Sequence, residues 1–142
     1  MKQSIEHWAA ILFVCLGCIS CLGGCGATSN AVAAPTSKSY DLTVGQTIPI
    51  TAIQSLKLDR VNDSRCKKGA VCVWAGYISY SFTLSGDGAA STFVLSDSMP
   101  GGTPSATQQK LTFALVAVDP AAPPVLNAPE PAYRVTIKVS TN

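Results

Sequence analysis

Ile78, Tyr80, Phe82 and Leu84 are separated one by one by Ser79, Ser81 and Thr83. Side chains of an extended chain point to opposite faces at each step, whereas a helix repeats about every 3.6 residues, so this run buries one face only as a β-strand. The same period recurs around it. Tyr40, Leu42 and Val44 alternate with polar partners, Gly45-Gln46 supplies a turn, Ile48 and Ile50 resume, and Leu56 and Leu58 continue toward Val61. Ser85-Gly86-Asp87-Gly88 is a hairpin turn whose glycines tolerate positive φ, and Ser91–Leu95 is the returning strand.

Further along, residues 96–108 are rich in Pro, Gly, Ser and Thr and read as a loop. The stretch 110–118 (KLTFALVAV) is apolar on both faces, the pattern of a central strand covered on each side. Five prolines in 119–131 forbid a continuous strand there. Tyr133, Val135, Ile137 and Val139 then make a last strand, with Arg134, Thr136 and Lys138 facing water. Beyond the N-terminal segment no window of about eleven residues holds a helical period. About seven short strands at this spacing predict an all-β domain over 39–142. Its expected form is an antiparallel β-sandwich, with an immunoglobulin-like architecture as one way of connecting it. Tyr80, Phe82, Phe93, Phe113 and Tyr133 fit the strand pattern as core residues, whereas Tyr77 is out of phase with Tyr80 and Phe82.

The N-terminal segment carries a different signal. Lys2 precedes an apolar run over 8–22, which ends in Gly23-Gly24-Cys25. A membrane span needs roughly 20 apolar residues, so the run has the length of a secretory signal rather than of a permanent helix. Leu22-Gly23-Gly24-Cys25 resembles the lipobox of bacterial lipoproteins, in which a signal peptidase cuts before the cysteine and that residue receives lipid. Cys15, Cys18 and Cys21 lack the Leu-Gly-Gly approach. The resemblance implies a signal peptide over 1–24, lipidation at Cys25 and an extracytoplasmic protein anchored to a membrane. Gly26 rather than Asp after the cysteine resembles the sorting signal for the outer membrane of diderm bacteria. Cleavage near Ala33-Ala34 and an uncleaved anchor are the competing readings.

Processing at Cys25 changes the chemistry available. Residues 25–38 become the lipidated cysteine and a small, polar tether with an r.m.s. reach of about 20 Å. Of six cysteines only Cys66 and Cys72 remain as a pair, in a compartment where disulfides persist. The single histidine, His7, departs with the signal. Without imidazole, Ser-His-Asp and Cys-His catalysis and His-ligated zinc are excluded. Two thiolates are too few for a zinc site, and a redox pair ordinarily has two intervening residues at a helix N-terminus rather than five in a loop. The pair therefore reads as a structural disulfide, with no metal and no cofactor. The net charge of +2 is scattered except at Arg65, Lys67 and Lys68, and nothing in it points to nucleic acid.

Val61-Asn62-Asp63-Ser64-Arg65-Cys66, followed by Cys72-Val73-Trp74-Ala75-Gly76, is the one motif specific enough to carry kinship. It resembles a family of small bacterial envelope proteins, mostly lipoproteins, with the signature D-S-R-C-P, then C-[VI]-W-A-G ahead of a strand. Lys67 stands where that family has proline. The resemblance implies a fold, a location and a disulfide, and no reaction. Physically, closing a ring of about seven residues stabilises by roughly 2–2.5 kcal/mol in the chain-entropy account. Trp74, two positions past Cys72, is expected to share its side of an extended strand and to pack on the bridge. Gly76 suits a bulge or a close backbone approach. Asp63 is placed to cap loop amides, and Arg65 to fork onto Asp63 or Asp59.

These residues predict a non-enzymatic binding module. Its candidate surface is Asp63, Arg65, Lys67, Lys68 and Trp74, with the proline-rich loop beside it. The expected partners are the membrane, through lipid on Cys25, and an envelope protein or polysaccharide. An envelope inhibitor of a lysozyme- or protease-type hydrolase is the alternative, since a preorganised loop loses less entropy on binding. A histidine-independent enzyme ranks behind both.

Overall fold

Every alternating segment needs a second apolar face to cover it, and the chain supplies one by folding into two meanders. A computed structural model describes residues 36–86 and 88–141. The expected signal peptide, Cys25, the tether as far as residue 35 and the turn residue Asp87 lie outside the described residues. The strands are β1 (Ser37–Thr43), β2 (Thr47–Pro49), β3 (Gln54–Asp63), β4 (Ile78–Gly86), β5 (Ser91–Leu95), β6 (Ser105–Gln108), β7 (Leu111–Asp119) and β8 (Arg134–Thr141). They form two four-stranded antiparallel sheets, β2-β3-β4-β5 and β1-β8-β7-β6.

The inner faces make one core. Leu56, Leu58, Phe82, Leu84 and Leu95 of the first sheet are fully buried, as are Leu42, Phe113, Val135 and Ile137 of the second. Phe82 stacks on Phe93 with centroids 5.4 Å apart, and Phe93 meets Phe113 across the sandwich at 4.9 Å. The apolar set of β4 is buried as its alternation requires.

Several expectations need correction. Among the described residues there are eight strands, in keeping with the expectation of about seven, but the stretch 96–108 is not all loop. β6 forms within it; its Ser-Ala-Thr-Gln has no apolar face, and pairing to β7 alone makes it a strand. The sandwich stands, but its connectivity is not that of immunoglobulin domains, which interleave strands distant in sequence. Here each sheet is a run of consecutive strands, with β1 returning to the edge of β8. The tether ends sooner than residue 38, since Ser37 and Lys38 already pair with β8. Val44 follows the end of β1 and is exposed.

β7 is central in its hydrogen bonding, flanked by β6 and β8, but it is not covered on both faces. A bulge between Leu115 and Ala117 leaves Val116 57% exposed. A second bulge, between Leu58 and Arg60, explains how apolar residues three apart share a face. The extra residue, Asp59, accepts a hydrogen bond from Thr83 at 2.6 Å and pairs with Lys57 at 3.1 Å, while Val61 returns to the core.

The antiparallel registers give the domain two poles. Thr36 and Thr141 meet at the end where the chain enters, together with the β2–β3, β4–β5 and β6–β7 turns. There Gln54 donates to Gln109 at 2.8 Å and Gln109 to the Ala89 carbonyl at 3.0 Å, clamping the sheets. The three long loops, 64–77, 96–104 and 120–133, lie at the other end, about 25 Å away along β8.

Replacing Phe82 by Ala removes a fully buried ring and a stacking partner, and should cost about 3–5 kcal/mol in urea unfolding. Val116→Thr, on the open face of β7, should stay within about 0.5 kcal/mol.

Candidate functional site

The loop after β3 is a stapled finger. Its two limbs run antiparallel, with the Ser64 amide donating to the Tyr77 carbonyl at 2.9 Å and the Cys66 amide to that of Ala75 at 2.8 Å. The Cys66–Cys72 disulfide closes the ring, with the Cα atoms 5.9 Å apart. Close approach of the limbs depends on Gly76. It sits at φ +70°, and a Cβ there would lie 1.9 Å from the Ser64 carbonyl oxygen. Only glycine fits both conditions.

The finger docks on the proline-rich loop through backbone groups. The Lys68 amide donates to the Pro124 carbonyl at 2.8 Å, and the Leu126 amide returns a bond to the Lys68 carbonyl at 3.0 Å. These make a short parallel bridge between Lys68 and Val125. Prolines cannot donate, so the loop offers carbonyls that the finger's amides satisfy.

Beneath the contact lies a charged clamp. Asp63, at the end of β3, accepts from Arg65 Nε at 2.9 Å and Nη2 at 2.7 Å, and from the Arg65 amide at 3.1 Å. The Tyr133 hydroxyl, just ahead of β8, donates to the same carboxylate. Arg65 Nη1 donates in turn to the Ala121 carbonyl at 2.6 Å. The Asp63–Arg65 pair thus joins β3, the finger, the proline-rich loop and the start of β8. The Asp63 side chain is only 2% exposed. Burial pushes its carboxyl up, but donation from Arg65 and Tyr133 outweighs this, and its pKa falls below the usual carboxylate value. Tyr133 is pushed up to about 12, first by burial and then by the carboxylate that accepts its proton.

The predicted site residues therefore separate. Asp63 and Arg65 come together as a fork, facing one another rather than solvent. Lys67 reaches Glu130 at 3.0 Å. Lys68 is exposed and lines a cavity of about 310 Å³ walled by Pro120, Pro123, Pro124, Val125 and Pro129. Trp74 is not buried against the sandwich. The chain from Cys72 to Ala75 is not a strand, so the alternation argument fails, and Trp74 is 60% exposed with its ring edge-on to Tyr77 at 6.2 Å.

Sequence reasoning missed the apolar side chains that the finger displays. Val71 and Val73 are fully exposed, and Val125 and Leu126 are half-exposed on the joined loop. The signal was available: apolar residues in or beside a seven-membered ring have no interior to enter. Tyr133 read as core and is buried, but its hydroxyl role needed tertiary contact. Among the described residues no three metal-ligating side chains gather at one place. No family model, curated protein or solved structure matches the chain.

Asp63→Ala leaves Arg65 and Tyr133 without their acceptor and should cost about 3 kcal/mol. Because the Asp63 pKa is lowered on folding, its contribution is complete above the unfolded value of about 3.9 and is lost as pH falls through the folded one. Stability followed by denaturant titration from pH 6 to 2 should fall less steeply in Asp63→Asn than in wild type. Tyr133 has the opposite sign. Its contribution is complete below pH of about 10 and is lost as pH rises toward 12, a loss that Tyr133→Phe should reduce.

Proposed function

We propose that this chain is a non-enzymatic binding module of the bacterial envelope, held to the membrane by lipid on Cys25. In this reading it belongs with the small lipoproteins that share the D-S-R-C and C-V-W-A-G signature. The observation that carries the binding role is the display of Val71 within, and Val73 and Trp74 just beyond, a ring closed by a disulfide. Exposed apolar side chains held on a rigid backbone are costly to solubility and mark contact surfaces. Val125, Leu126 and the proline-walled cavity beside Lys68 extend that surface onto the neighbouring loop. The working face is apolar with a cationic rim. Its partner is an envelope protein, for which aromatic and aliphatic anchors supply affinity and Lys68 supplies orientation.

The clamp at Asp63 supports the same reading. It spends the charges of Asp63 and Arg65 on holding the loops, which leaves less entropy to lose on binding. A hydrolase inhibitor is the second reading, favoured by the projection of Val71 and Val73 from a stapled loop. Such a loop can enter a cleft without rearrangement.

A photocrosslinker in place of Val73 should capture a discrete envelope protein in intact cells, and Trp74→Ala should abolish that product without lowering stability by more than about 0.5 kcal/mol. An unchanged product would remove the finger from the interface. Assays of the purified protein against lysozyme-type and protease activities separate the two readings. Membrane fractionation with intact mass of wild type and Cys25→Ser tests the anchor: the wild type should carry acyl mass and sediment with membranes, and the variant should do neither.

A further inference from the structure

The chain-entry pole holds a second feature, independent of the finger. Among the described residues β1 is an edge strand, bonded on one side only. The Thr141 amide donates to the Thr36 carbonyl at 3.1 Å, and the pairs Lys38–Val139, Tyr40–Ile137 and Leu42–Val135 follow in register. Backbone groups alternate in direction along a strand, so the amides and carbonyls of Ser37, Ser39 and Asp41 point away from β8. Thr43, of the same parity, confirms it by exchanging bonds with Gln46 instead. Among the described residues, Ser37, Ser39 and Asp41 have no backbone partner on that side.

The other edges are managed. β2 carries Pro49, and β5 and β6 are closed on one another by the Ser96 amide bonded to the Thr103 carbonyl and by Gln109 bonded to Ala89. β1 has no proline and no such closure. Alongside it the sandwich opens into a cleft of about 240 Å³, floored by Tyr40, Ile50, Leu111 and Val139. The Lys38 ammonium stands at its mouth, 4.9 Å from the centroid of the Tyr40 ring.

We propose that the β1 edge and this cleft form a site for an extended peptide of another protein, which adds as a strand antiparallel to β1. Backbone bonds to Ser37, Ser39 and Asp41 hold such a peptide, and side chains at alternate positions enter the cleft. The residue opposite Tyr40 is apolar, and the residue opposite Lys38 is acidic. A second copy of this chain is the poorer occupant. On the inner face β1 offers only Lys38, Tyr40 and Leu42, so self-pairing gives Lys38 no carboxylate. Asp41 is on the other face and accepts from Thr136 at 2.6 Å. Lys38 thus discourages indiscriminate edge pairing while selecting an acidic strand.

The test is amide exchange by NMR on the full chain in detergent micelles. The probe is the capped peptide Thr-Val-Thr-Glu-Thr, compared with its Glu-to-Lys version and with an N-methylated version. The amides of Ser39 and Asp41 should exchange freely without the peptide and slow on adding it at millimolar concentration. The Lys version should bind about 2- to 5-fold more weakly, and the N-methylated version should give no protection. Ser39→Pro removes an outward amide, spares the β8 ladder and should abolish the effect with the melting curve preserved. Three results would overturn the proposal: no slowing with the Glu peptide, slowing that survives Ser39→Pro, or slowing without peptide that grows with protein concentration, which would make a second copy the occupant.

Discussion

Cover for the apolar faces of β3, β4, β7 and β8 is the constraint from which the rest of the architecture follows. The β2-β3-β4-β5 sheet and the β6-β7-β8 run are meanders whose neighbouring segments satisfy one another's backbone at short sequence range. β1 joins β8 from the far end of the chain, and the two inner faces then exclude water together. Phe82, Phe93 and Phe113 form the continuous contact across that boundary. At the two poles, where water reaches the seam, hydrogen bonds take over from apolar contact. Gln54, Gln109 and Ala89 close one pole, and Asp63, Arg65 and Tyr133 close the other. The second clamp is charged, and its strength comes from complete pairing in a site nearly free of solvent.

That clamp explains why the pole of the finger is largely apolar in a domain with scattered charge. Asp63 and Arg65 are committed to each other, and Lys67 is committed to Glu130. What remains outward on the finger is Val71, Val73 and Trp74, with Lys68 beside the proline-walled cavity. Disulfide, backbone bridge and charged fork act on the same few residues, so the finger is held at several points at once. The free edge of β1 follows a different logic. There the backbone itself is the recognition element, and Lys38 acts as the filter. The finger and the β1 edge lie toward opposite ends of the sandwich, since β1 begins beside the end of β8 and Asp63 at the base of the finger meets Tyr133 just ahead of β8.

Alternation and punctuation made most strands legible before any coordinates. The apolar sets of β4 and β8, the hairpin glycines and the five prolines of 119–131 each act within a few residues, where sequence and geometry are directly linked. β6 was illegible because its polar tetrapeptide is a strand only by virtue of β7. The open face of β7 was illegible for a related reason: an apolar run says that a strand has good partners, not that a second layer covers it. In the site, the disulfide and the close approach at Gly76 were readable from spacing and residue type. The outward turn of Trp74 was not, since alternation holds only where the chain is extended.

The amino-acid sequence alone determined the all-β class, because that rests on local periodicity. It left Arg65 a choice of Asp63 or Asp59, and it isolated Cys66 and Cys72 as a pair only through the processing that the lipobox resemblance implies. Tertiary structure alone decided the meander connectivity, the docking of the finger on the proline-rich loop and the recruitment of Tyr133 to Asp63. Those contacts join residues far apart in sequence: Asp63 and Tyr133 are 70 positions apart, and Ser37 pairs with Ser140. Their energies depend on which sheet faces which, and a linear pattern does not encode that choice.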